Sequence, residues 1–283
     1  MKLAFSTLGC PAWSFDEIIA GAVRYGYQGL EIRGVLDTMD AYSIPEFTPS
    51  NLPVTLRKLG DAGLAINCLG ASSRVVEAAA VPEKAAAVLE DAARYFALAQ
   101  ELGAVGVRFF GGELPADKPY DAALADGAKL LHQLGELAAA AGVLAMVETH
   151  DYFVRTDKLM ELIRLADSPA VQVIWDVHHP YRMAGETVAY TAAQLDGHIR
   201  GVHVKDSLPA VEGKFEYCVL GAGDVPTFAA LRALHDVGYD GYLTVEWEKR
   251  WIKHLAEPEE YFPQAAVQLR SWLTQLTPSG KII

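Results

Sequence analysis

The sequence predicts a (β/α)8 barrel of the α/β class folded as a single domain. Three observations carry that expectation. Strand-like and helix-like segments alternate along all 283 residues with no low-complexity linker between them. Half of the residues (51%) are hydrophobic, which suffices for one large core and excludes a disordered chain. Four successive apolar runs, 143–150 (VLAMVETH), 171–179 (VQVIWDVHH), 199–206 (IRGVHVKD) and 242–248 (YLTVEWE), give out at a residue able to ligate a cation. The domain is assigned to residues 1–283, with the last few residues as a tail.

In order, residues 2–8 form the first strand, and 14–25 (SFDEIIAGAVRY) a helix with Ser14 as N-cap and Glu17 three residues on. A second strand at 29–34 (GLEIRG) leads through a proline-rich loop to a helix near 52–62. The third strand, 64–70 (LAINCLG), precedes an alanine-rich helix at 82–102 opened by Pro82. The fourth, 104–111 (AVGVRFFG), precedes a helix at 122–141 closed by Gly142. The fifth to eighth strands are the four runs above, followed by helices near 158–166, 187–195, 227–237 and 258–276, with a longer loop at 207–225. The strands read as continuous apolar runs, the pattern of parallel strands covered on both faces. A doubly wound open sheet is the rival, but the turn at 8–14 (LGCPAWS) lacks the GxGxxG of its phosphate loop.

The formal net charge is −12 with no basic stripe, which argues against nucleic-acid partners. The three cysteines, Cys10, Cys68 and Cys218, are far apart and odd in number, as expected of reduced thiols rather than a disulfide framework. The N-terminal apolar stretch is too short for a signal peptide, and no run reaches the length of a membrane span. A soluble, cytoplasmic protein without membrane partners is the expectation.

Strand C-termini are where a barrel gathers its chemistry, because the loops there form an open mouth. Glu148, Asp176, His203 and Glu246 stand at those ends and would make a hard, oxygen-rich site for a divalent cation. Any one of them alone could equally cap a strand or pair with a neighbouring charge; four in four successive strands favour the metal. His150 lies two residues past Glu148, on the same face of an extended strand, His178 and His179 follow Asp176, and Lys205 lies two past His203. Lys205 could stabilise an anion or bridge to Asp206 or Glu148. Arg108, beside glycines, suits an anionic or hydroxyl-rich ligand. Glu31 and Arg33 read equally as site residues or as an inter-strand ion pair. Lys249, Arg250 and Lys253, interleaved with Trp247 and Trp251, could cover a phosphate but fit a solvated face better. Trp247, Trp251, Tyr261 and Trp272 fit either a homo-oligomer interface or core packing. No serine-nucleophile elbow, P-loop or HExxH occurs.

With these residues in view, the chain resembles the xylose-isomerase-like TIM-barrel superfamily of sugar isomerases, epimerases and dehydratases. The resemblance spans essentially the whole chain and rests on GLEIRG, VETH, WDVHH, HVKD, LGAGDVP at 220–226, and VEWEKRW. It implies Glu148, Asp176, His203 and Glu246 as ligands of one divalent metal, with Mn²⁺ first and Mg²⁺, Co²⁺ or Zn²⁺ as alternatives. It also implies a substrate contact at His179, and at Glu148 and Glu246 the acid/base pair of ketose epimerases. The epimerases carry an arginine six residues after the metal-binding histidine, where this chain has Pro209. The combination of His150, His179, His203 and Lys205 is closer to the dehydratase branch, which includes 3-dehydroshikimate and inosose dehydratases. The endonuclease IV branch needs a multi-zinc, histidine-rich site and basic loops that are not apparent here.

The expected reaction is proton removal next to a carbonyl, through an enediolate that the cation stabilises. The first expectation is a metal-dependent sugar or sugar-phosphate isomerase or epimerase with Glu148 and Glu246 catalytic and His150, His179, Lys205, Arg108 and Glu31 holding the substrate. The alternative is a dehydratase of a cyclic polyol or dehydroshikimate-like acid, and a third reading is a non-catalytic carbohydrate-binding barrel.

Overall fold

Eight parallel strands close on themselves in the computed structural model, which describes residues 1–276; the expected tail lies outside the described residues. The barrel strands are β1 (Lys2–Ser6), β2 (Gly29–Ile32), β3 (Ala65–Arg74), β4 (Gly106–Phe110), β5 (Leu144–Glu148), β6 (Val171–Asp176), β7 (Ile199–Val204) and β10 (Tyr242–Val245). The two short strands β8 (Asp206–Ser207) and β9 (Tyr217–Cys218) form an antiparallel pair in the loop after β7. Around the barrel the order is β1-β10-β7-β6-β5-β4-β3-β2, and pairing of Phe5 with Val245 closes the ring.

Most helices fall where their signals place them. The helix Phe15–Tyr25 opens on a complete Ser14/Glu17 capping box and ends at Gly26, with φ at +75°. Pro82–Leu102 begins at its proline and stops at Gly103 in the left-handed region. Two short helices, Val75–Ala79 and His178–Ala184, were not anticipated. Each is under two and a half turns, too short to develop the apolar periodicity from which a helix is read.

The continuous apolar runs resolve into an alternation. On β5, Ala145 and Val147 join the large core between sheet and helices, whereas Met146 belongs to a small separate cluster with Cys68 and Ile174. On β6, Val171, Val173 and Trp175 likewise belong to the outer core and Ile174 to the inner cluster. The two-residue period thus sends one set of side chains out to the helices and the other into the barrel. Inside, the apolar plug of Cys68, Met146 and Ile174 lies below, and the next inward positions toward the strand C-termini are Arg108, Glu148, Asp176, His203 and Glu246.

The interior is tight where strands carry glycine. A Cβ on Gly106 would stand 2.3 Å from the backbone oxygen of Leu144 on the paired strand. Gly106→Ala should therefore destabilise the barrel by about 2–3 kcal/mol and lower the thermal midpoint by several degrees. An unchanged midpoint in thermal unfolding would show that β4 and β5 do not approach this closely.

Candidate active site

The four predicted ligands come together. One potential ligand atom from each of Glu148, Asp176, His203 and Glu246 lies within 4.8 Å of all the others, and all four residues are buried. Register accounts for part of this, since Asp176 on β6 pairs directly with His203 on β7. His203 Nδ1 is 3.4 Å from Glu148 Oε1 and 3.5 Å from Glu246 Oε1. Both oxygens of Glu148 and Nδ1 of His203 are buried without a hydrogen-bond partner. Inward-facing, unpartnered oxygens and an imidazole nitrogen are the surroundings a hard divalent cation requires, so this cluster can hold one metal ion.

Glu31 lies behind the site. Its Oε2 accepts a 2.7 Å hydrogen bond from His203 Nε2, and both groups are 1% exposed. That bond fixes the imidazole with Nδ1 toward the cluster, the arrangement by which a carboxylate orients a histidine ligand. The ion pair considered for Glu31 and Arg33 does not form; Arg33 donates instead to Ser72 Oγ at 3.0 Å.

Lys205 pairs with neither Asp206 nor Glu148. Its ammonium, fully buried, is 2.7 Å from Asp176 Oδ2, 2.5 Å from Glu246 Oε2 and 3.1 Å from Glu248 Oε1. Asp206 is engaged elsewhere, accepting from the backbone N–H groups of Ser207, Gly221, Gly223 and Val225 and so folding the LGAGDVP loop. Burial opposes the Lys205 charge, but Asp176, Glu246 and Glu248 outweigh it and raise its pKa. Burial likewise opposes ionisation of Glu246, and Lys205 and His203 overcome it, holding the carboxylate well below its usual range. In Glu148 burial and Glu246 are outweighed by His203 and Arg108, with the same result.

Asp176 divides its oxygens. Oδ1 accepts from the backbone N–H groups of His178 (2.8 Å) and His179 (3.2 Å), capping the helix that follows, while Oδ2 faces Lys205. His179 Nδ1 lies 2.9 Å from the carbonyl of Thr149, to which it can only donate, leaving Nε2 with the lone pair. His150 stands at the mouth, partly exposed, with Nδ1 2.8 Å from Asp151 Oδ1 and its ring 4.9 Å from that of His179. Burial lowers its pKa, but Asp151 and Glu148 together raise it. His178 turns away: Nε2 is 2.9 Å from Ser207 Oγ, its ring packs on Phe215 and Tyr217, and burial drives its pKa down to about 3.

A cavity of about 230 Å³ opens above the cluster, lined by Arg33, Arg74, Arg108, Phe110, Glu148, His150, Glu246, Glu248 and Trp251, with Leu8 at its edge. Arg33, for which a site role and an ion pair were equal expectations, borders the cavity, and so do Glu248 and Arg74, to which the sequence assigned no site role; Glu248 lies two residues past the inward Glu246, so strict alternation finds it. Lys249 and Arg250 are structural. Lys249 Nζ contacts the carbonyls of Lys253 and Leu255 and the Glu257 carboxylate, and Arg250 reaches Met39 Sδ and the Leu36 carbonyl. Trp247 and Tyr261 are buried and stacked 3.7 Å apart, whereas Trp251 is exposed. Among the described residues no helix is long and apolar enough to cross a membrane.

Comparison with known proteins agrees with the barrel fold. Residues 19–274 match the family model described as xylose isomerase-like TIM barrel. An inosose dehydratase of Mesomycoplasma hyopneumoniae is 27% identical over 92% of this chain and 89% of its own. A fructoselysine 3-epimerase of Escherichia coli O157:H7 is 28% identical over 41% of this chain and 40% of its own. Among solved structures, the probable 3-DHS dehydratase of petrobactin synthesis from Bacillus anthracis superposes with a TM-score of 0.78 at 18% identity, covering 95% of this chain and 99% of that one.

Calorimetric titration of Mn²⁺ into chelator-treated protein should show one equivalent bound. Glu246→Gln should weaken it severely, and Glu31→Gln, through the lost hold on His203, by about 10- to 100-fold. Wild-type protein that binds no cation would remove the metal site.

Proposed function

Because this chain belongs to the xylose isomerase-like TIM barrel family, we propose that it is a divalent-metal-dependent dehydratase that eliminates water from a cyclic hydroxy-ketone. The observation that carries this reading is the placement of two imidazoles, His150 and His179, beside Glu148 while Glu246 is already held by Lys205 at 2.5 Å. An epimerase working through Glu148 and Glu246 needs both carboxylates free to exchange a proton with opposite faces of the substrate. A glutamate clamped to a buried ammonium is a poor second base. The full-length likeness to an inosose dehydratase, against the partial likeness to an epimerase, supports the same choice.

A cation held by Glu148, Asp176, His203 and Glu246 would supply a Lewis acid for the substrate carbonyl. The protein's own residues do the rest. Lys205 lies against the outer oxygens of Asp176 and Glu246, offsetting the cost of burying them in a dry setting. Glu31 holds His203 in one orientation. His179 offers Nε2 as the base that takes the proton from the carbon next to the carbonyl. His150, backed by Asp151, gives a proton to the departing β-hydroxyl. The C–H and C–O bonds break, a C=C bond conjugated with the carbonyl forms, and the hydroxyl leaves as water.

Conjugation makes the test direct. Incubation of the metal-loaded protein with 2-keto-myo-inositol and 3-dehydroshikimate should raise the near-ultraviolet absorbance of the product with one of them. His150→Gln should cut that rate by about 10²-fold or more with Mn²⁺ affinity unchanged. Epimerised ketose without any absorbance change would replace dehydration by epimerisation.

A further inference from the structure

Two arginines of the cavity have no part in the chemistry above. Arg33 follows β2 and Arg108 lies in β4, and they converge over Gly70 of β3: a Cβ there would sit 2.6 Å from Arg33 Cδ and 3.1 Å from Arg108 Nη2. Both are buried, at 7% and 1% exposure. Arg108 is balanced, with Nε 3.4 Å from Glu148 Oε2 and its guanidinium 3.9 Å from the centre of the Phe110 ring. Arg33 is not. Its side-chain hydrogen bond goes to the neutral Ser72, and Glu246 and Glu31 attract it only from beyond ion-pair distance. Nη1 of Arg33 and Nη1 of Arg108 are both buried and make no hydrogen bond.

A buried guanidinium without an acid, packed against a second guanidinium, is costly unless an anion joins it. The two free donors border the same cavity as Glu148, His150 and Glu246. We propose that Arg33 and Arg108 seat a carboxylate of the substrate, so that the substrate is a cyclic hydroxy acid and not a neutral polyol. One uncompensated charge matches a carboxylate rather than a phosphate, which is close to doubly ionised. The third arginine of the cavity, Arg74, adds none, because it is 3.3 Å from both Glu77 and Asp151. The assignment deepens the proposed function and rests on it only in taking this cavity as the substrate site.

The test is equilibrium binding, in the presence of Mn²⁺, of shikimate and quinate against their methyl esters, with ribose 5-phosphate as the phosphate probe. At least one acid should bind wild type about tenfold more tightly than its ester, the range of a charge-assisted contact. Arg33→Gln should erase that preference while binding Mn²⁺ like wild type, and Arg33→Lys, which keeps the charge but not the fork, should retain part of it. Should the glutamine variant not fold, the lysine variant decides by whether the preference shrinks. Acids that bind no better than their esters, a preference that stays at its wild-type size in these variants, or a phosphate that outcompetes both acids would each overturn the proposal. Turnover is not read. Acid preference without dehydration would therefore sink only the dehydratase, and dehydration of a neutral polyol with no acid preference would sink only the carboxylate seat.

Discussion

Four carboxylates, Glu31, Glu148, Asp176 and Glu246, are almost entirely withdrawn from water at one level of the barrel, and the rest of the site follows from the need to balance them. Each ionised group in such a setting requires a partner, because the cost of leaving it alone exceeds what any single packing contact returns. The donors present are shared out accordingly: the Nε2–H of His203 to Glu31, Arg108 to Glu148, and Lys205 to both Asp176 and Glu246. What is left over after this distribution, the open oxygens of Glu148 and Nδ1 of His203, converges on one point. A cation there completes the balance.

The same residues are anchored to backbone as firmly as to one another. Asp176 caps the helix that begins two residues later, and its own N–H donates to Thr149 Oγ1 on the neighbouring strand. Thr149 in turn accepts from His179 through its carbonyl oxygen. The end of β5, β6 and the helix His178–Ala184 are therefore tied where the candidate ligand Asp176 and the candidate base His179 stand, so their spacing is set by side-chain-to-backbone hydrogen bonds.

The barrel and the clustering of the four candidate ligands were legible because both depend on short-range pattern: strand-length apolar runs, capping signals such as Ser14 with Glu17, and a polar residue able to ligate where each run ends. What was not legible depends on direction. Reading the strands as continuous apolar runs discarded the in/out alternation, and with it Glu248 beyond Glu246. The salt-bridge alternative for Lys205 named Asp206 or Glu148 as its partner, although Asp206, one residue on, points the opposite way into a loop. Arg74 was beyond reach for another reason: β3 runs on to residue 74 through an irregular pairing with β4, which no local pattern announces. Lys249 looked like a surface charge, yet it is a buried tie whose partners, the carbonyls of Lys253 and Leu255, are set by how the following turn folds back.

Seen around the ring, the site divides. β5, β6, β7 and β10 and the residues just past them supply the candidate ligands, the imidazoles and Lys205, in a network so interlocked that changing one charge strands another. β2, β3 and β4 supply Arg33, Ser72, Arg74, Arg108 and Phe110, of which Arg108 alone among the arginines pairs with a ligand residue. Substitutions on the second arc leave most of the ligand-side charge balance intact, whereas those on the first do not. One barrel can therefore keep the proton chemistry on one arc while the side chains of the other select which hydroxylated ketone enters. Arg33, buried and without an acid of its own, is a residue on that arc with a buried donor still unpartnered.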